Sequence, residues 1–65
     1  MKYKKFRHSN GDVVIIYRIN KDSVDRYLLN KGTIESHTIL SIKTQLPDNY
    51  YKDISELEFY SYFEL

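Results

Sequence analysis

The sequence predicts an α+β fold: a small antiparallel sheet led by an N-terminal hairpin, with one short helix, in the order β-β-α-β-β. Three observations lead there. Residues 12–19 read Asp-Val-Val-Ile-Ile-Tyr-Arg-Ile, the densest run of β-branched residues in the chain and the strongest strand signal it contains. Asn10-Gly11 stands just ahead of that run, with a second strand-like segment before it, which is the pattern of a tight hairpin. Residues 33–43 and 54–65 alternate between apolar and polar positions, as half-buried strands do. The alternative is an all-β meander or small barrel in which residues 24–30 form a strand.

Taken in order, residues 2–8 form a basic strand bearing aromatics. A two-residue loop at Asn10-Gly11 fixes its register against the next strand, because paired residue numbers must then sum to 21. His8 faces Val13, Arg7 faces Val14, Phe6 faces Ile15, Lys5 faces Ile16, Lys4 faces Tyr17 and Tyr3 faces Arg18. One face then holds Phe6, Val13, Ile15, Tyr17 and Ile19 and is expected to look into the core. The other holds Tyr3, Lys5, Arg7 and Arg18 around Val14 and Ile16 and is expected to face solvent.

Residues 23–31 read as a helix. Asp22 or Ser23 serves as N-cap, Val24, Tyr27 and Leu28 share a stripe, and Lys31 and Gly32 supply a C-terminal stop. The competing strand reading turns at Asn30-Lys31-Gly32. In residues 33–43, Ile34, Thr38, Leu40 and Ile42 face one way and Glu35, His37, Ser41 and Lys43 the other. Pro47-Asp48-Asn49 is a turn. The tail alternates as a strand, with Leu57, Phe59, Ser61, Phe63 and Leu65 opposed to Glu56, Glu58, Tyr60, Tyr62 and Glu64. A capping box at Ser55 and Glu58 supports a helix there instead, but aromatic density favours the strand.

Sixty-five residues make a single domain, 1–65, with a small core. A chain of this size buries only about 60% of the surface its unfolded form exposes, so a homodimer or a larger partner is an expected aid to stability. The sequence has no Cys, which removes disulfides and thiolate metal sites and suits a cytoplasmic setting. No run approaches the ~18 apolar residues of a membrane span. Lys, Ile and Tyr occur seven times each while Ala and Trp are absent, the bias of an AT-rich bacterial or phage genome. The formal charge of +1 conceals an asymmetry: residues 1–32 carry +5 and residues 33–65 carry −4. The halves either neutralise each other or present a basic surface to an acidic partner.

Chemistry is sparse. His8 and His37 have no partner nucleophile in sequence, there is no Gly-x-Ser-x-Gly turn, and two glycines cannot build a phosphate-binding loop. The sequence therefore points to a non-enzymatic module with no cofactor or metal. Its expected role is to bind another protein, as small inhibitors, antitoxins, immunity proteins and phage modulators do. The expected contact residues are Glu56, Glu58, Tyr60, Tyr62 and Glu64, since tyrosine buries a rigid apolar body while keeping a polar tip. The alternative is a nucleic-acid-binding sheet using Tyr3, Lys5, Arg7 and Arg18, with cations for phosphates and an aromatic ring for a base.

Overall fold

The computed structural model describes residues 1–39 and 48–64. Among them, strands β1 (Lys2–Phe6), β2 (Val13–Ile19), β3 (Val24–Asn30), β4 (Thr33–Ile39) and β5 (Tyr51–Ile54) form one antiparallel sheet in the order β4-β3-β2-β1-β5. A 3-10 turn at Asp48–Tyr50 leads into β5, and a six-residue helix, α1 (Glu56–Ser61), follows it. The small antiparallel sheet with one short helix is therefore present. The β-β-α-β-β order is not: residues 24–30 are a strand and the helix comes last.

The helical reading of residues 23–31 fails because its start and stop signals serve two turns instead. Ser23 closes the β2–β3 loop, accepting at its carbonyl from the Asn20 amide (2.8 Å) and at its hydroxyl from Asn20 Nδ2 (3.1 Å). Lys31 and Gly32 have φ of 45° and 86° and form the two-residue loop between β3 and β4, the geometry of a type I′ turn. An isolated helix of about nine residues is marginal in water, whereas β3 gains backbone pairing on both sides. Leu40, Ile42, Ser41 and Lys43 of the predicted 33–43 strand, and Pro47, lie outside the described residues.

The predicted register of the first hairpin holds where β1 and β2 pair: Lys2–Ile19, Tyr3–Arg18, Lys4–Tyr17 and Lys5–Ile16. Its turn differs. Pairing with β2 stops at Lys5, Phe6 pairs with Tyr51 of β5, and the Arg7 amide donates to the Tyr50 carbonyl (2.8 Å). The connection is thus wider than two residues, and Gly11 has no positive φ. Asn10 organises it through its side chain, whose Oδ1 accepts from the amides of Asp12 (2.9 Å) and Val13 (3.0 Å). The predicted pairs Phe6–Ile15, Arg7–Val14 and His8–Val13 do not form.

The face assignment is reversed. Helix α1 packs on the side carrying Tyr3, Val14, Ile16 and Leu29, where Tyr3, Ile16, Leu29 and Phe59 form the buried cluster. Val14, Tyr27, Ile54, Tyr62 and Phe63 pack around it. The face expected to be wetted is therefore the one the helix covers. Its cations are accommodated because their stems are apolar and their heads find partners. Lys5 Nζ sits 5.4 Å from the centroid of Tyr62, and the Arg18 guanidinium is 5.9 Å from that of Tyr27 and paired with Asp25. The opposite face is also apolar: Tyr17 and Val24 are buried there, while Phe6, Val13, Ile15, Ile19 and Leu28 are half-buried.

Candidate protein-binding surface

The tail is where the sequence placed its contact residues; in place of the predicted strand over 54–65, Ile54 ends β5 and Glu56–Ser61 is a helix, while Leu65 lies outside the described residues. Ser55 decides this locally. Its extended backbone (φ −76°, ψ 160°) and its Oγ, which accepts from the Glu58 amide at 3.0 Å, cap the helix. Glu56 and Glu58 lie in the first turn, where carboxylates favour the positive end of the helix dipole. The reciprocal half of a capping box is not made, because the Glu58 carboxylate accepts from the Tyr62 hydroxyl instead (3.1 Å).

Phe59 fixes how the helix sits. It is 1% exposed, and its ring centroid lies 4.7 Å from Tyr3, 5.7 Å from Tyr27 and 5.4 Å from Phe63. With Phe59 turned inward, the 3.6-residue period sends Leu57 and Ser61 outward, and Glu56, Tyr60 and, beyond the helix, Glu64 are exposed as well. Leu57 is 83% exposed and Tyr60 42%. Glu58 and Tyr62 are half-buried on the flank, joined to each other, with Tyr62 lying over Lys5.

The five predicted contact residues are thus divided. Glu56, Tyr60 and Glu64 are exposed, and Glu58 and Tyr62 are half-buried. Leu57, the most exposed apolar side chain described, shares a face with Phe59 and Phe63 in the strand reading. Ser55 and Glu58 three positions later carried the signal that would have placed it outward.

A polar network anchors the surface from beneath. The Tyr3 hydroxyl donates to Glu56 Oε1 (3.2 Å), and burial, then the hydroxyl of Tyr60 and the Glu56 carboxylate, push its pKa up to about 12. Arg18 donates through Nε and Nη2 to Asp25 Oδ2 (3.0 and 2.9 Å), through Nη1 to the Tyr60 hydroxyl (3.4 Å) and through Nη2 to that of Tyr27 (3.1 Å). Asp25 also accepts from Asn20 Nδ2 and the Thr38 hydroxyl, each at 3.0 Å. Donation from Asn20, with Arg18 and Thr38 adding to it, holds the Asp25 carboxyl below the usual range against the opposing effect of burial.

The same contacts bear on the alternative set of Tyr3, Lys5, Arg7 and Arg18. Tyr3 is buried beneath Phe59, Lys5 is half-buried, and Arg18 is committed to Asp25. Arg7 is exposed, with Nε donating to the Tyr51 carbonyl (3.1 Å). These four residues do not make one open basic face.

Among the described residues, two concavities border the helix. A cleft of about 150 Å³ runs between the β3–β4 turn and the end of the tail, walled by Val14, Leu29, Ile34, Tyr62 and Phe63. A shallow depression of about 710 Å³ lies beside Tyr3, Asp53 and Glu56. Among the described residues no group of three or more His, Asp or Glu side chains could hold a metal ion, and no helix is long and apolar enough to cross a membrane. No family model matches the chain, and no curated protein or solved structure matches it at a significant level.

Proposed function

We propose that this protein is a small non-enzymatic protein-binding module, of the inhibitor, antitoxin, immunity or phage-modulator type, that occupies a partner's surface with the outer side of its C-terminal helix. The observation carrying this reading is Leu57, an 83% exposed leucine one helical turn from an exposed tyrosine, with Glu56 next to it in the chain and Glu64 exposed beyond the helix. An apolar and aromatic centre rimmed by carboxylates suits a partner patch in which an apolar pocket is bordered by Lys or Arg. The non-enzymatic part rests on the sequence, which lacks a cysteine and a nucleophile-elbow motif. A cysteine-free chain suits the reducing bacterial cytoplasm, where the reading places it.

The test is site-specific photo-crosslinking in a host lysate. A photoreactive residue at position 57 should yield a discrete adduct, whereas one at position 21, in the loop between β2 and β3, should not. Leu57→Glu, with the photoreactive group moved to position 61, should abolish the adduct while leaving the fold intact. Equal labelling from positions 57 and 21, or no adduct at either, would overturn the proposal. Tight, steeply salt-dependent binding of a generic oligonucleotide would replace it with a nucleic-acid function.

A further inference from the structure

Among the described residues, strand β4 is the outer strand of the sheet at the end away from β5. Residues 33–38 are all exposed, and Ile34 is 53% exposed. Such an edge presents a row of backbone donors and acceptors, which natural proteins usually guard with Lys, Pro, a bulge or a short strand. Here the strand is seven residues long, reads Thr-Ile-Glu-Ser-His-Thr-Ile, and pairs one-to-one with β3 without a bulge. It contains no Lys, Arg or Pro, and its composition is strongly β-forming. The opposite edge strand, β5, is only four residues long and carries a lysine and an aspartate.

The backbone polarity of β4 follows from its turn. Asn30 and Thr33 close the two-residue loop and are therefore a hydrogen-bonded pair. Alternation then directs the N–H and C=O groups of Thr33, Glu35, His37 and Ile39 toward β3, and those of Ile34, Ser36 and Thr38 outward.

We propose that this edge pairs antiparallel with β4 of a second copy of the chain, about a two-fold axis at Ser36, joining two sheets into one. Two independent criteria select that register. First, it opposes Ser36 to Ser36 and Ile34 to Thr38 of the partner, so every outward group of residues 34, 36 and 38 is used, in six backbone hydrogen bonds. A shift of two residues either way leaves four within the strand. Second, it sets Glu35 opposite His37 of the partner at a non-hydrogen-bonded position, where side chains approach most closely. Arg26 lies directly across from His37 within the chain, so the incoming carboxylate meets a basic pair. The neighbouring registers oppose Glu35 to Glu35 or His37 to His37. This contact uses neither Leu57 nor Tyr60, and it stands or falls separately from the helix surface.

Sedimentation equilibrium of the full chain over a concentration series should show a monomer–dimer equilibrium. A sample mixing isotope-labelled and unlabelled protein should give an intermolecular NOE between the Glu35 and His37 Hα protons, which no other register produces. Ser36→Pro removes two of the six bonds while sparing the fold, because the Ser36 amide points away from β3. It should weaken dimerisation on the order of tenfold to a hundredfold. His37→Glu opposes two carboxylates and should weaken it too, and adding Glu35→His should restore it. A monomer at millimolar concentration overturns the proposal, as does a dimer that lacks this NOE or is indifferent to Ser36→Pro.

Discussion

Phe59→Ala is the substitution that most directly tests whether α1 is held to the sheet as described. The side chain is 1% exposed and its ring meets Tyr3, Tyr27 and Phe63 with centroids 4.7–5.7 Å away. A buried aromatic side chain removes ~150–250 Å² from water, which at ~25 cal/mol per Å² corresponds to about 4–6 kcal/mol. That figure is an upper bound, because a real unfolded chain already hides part of this surface. Measured Phe→Ala costs of about 3–5 kcal/mol fall just beneath it. A 65-residue domain at ~0.05–0.15 kcal/mol per residue has only about 3–10 kcal/mol in total. Phe59→Ala should therefore remove from about a third to all of the folding free energy. Urea unfolding followed by circular dichroism measures this, with Leu57→Ala as the control that should shift stability by less than about 0.5 kcal/mol. If the two variants unfold at similar urea concentrations, the helix is not seated through Phe59, and the outward position of Leu57 loses its basis.

The remaining predictions follow from single contacts. Folding lowers the Asp25 pKa below its unfolded value, so its stabilising contribution is present above the ordinary carboxylate range and is lost as pH falls through the depressed value. Asp25→Asn should accordingly be less stable than the parent at pH 7, and that deficit should shrink toward pH 2; a deficit constant with pH in urea titrations would refute the assignment. Gly32→Ala, at φ +86° with nothing within 4 Å of an added Cβ, should cost about 1 kcal/mol through backbone strain alone. Gly11→Ala should be neutral or slightly stabilising, since that glycine has no positive φ and also faces open space; a reversed order in thermal melts would restore the tight turn at Asn10-Gly11. Ser55→Ala removes the N-cap and should cost about 1 kcal/mol, with a matching loss of amide protection at Glu58 in hydrogen exchange.

Local pattern was enough for several elements. The β-branched run of residues 13–19 forms a strand, the β1–β2 register sums to 21 across four pairs, and residues 33–39 pair as a strand. Each depends on neighbours in sequence or on side-chain preference within one segment. Two other elements were misread because one signal fitted two structures. Ser23 and Gly32 suit helix ends as well as hairpin turns, and pairing with two strands settled the choice for residues 24–30. In the tail, alternation argued for a strand and the Ser55–Glu58 spacing for a helix. The strand that pairs with β1, Tyr51–Ile54, lies ahead of that alternation and shares only Ile54 with it, and the Ser55 cap starts the helix directly afterwards.

By itself, the sequence determined that β1 and β2 pair in this register and that the chain would make a small antiparallel sheet, but it put the short helix at residues 23–31 instead of Glu56–Ser61. Only the tertiary structure decided which side of the sheet is the core. Val14 and Ile16 on one face and Val13 and Ile15 on the other are equally fit to be buried, so no periodicity within β2 can choose between them. The choice falls to a residue more than forty positions away: Phe59 lands on Tyr3 and Ile16 and turns Leu57 outward, and the cations on that face survive because Asp25 and the rings of Tyr27 and Tyr62 receive them.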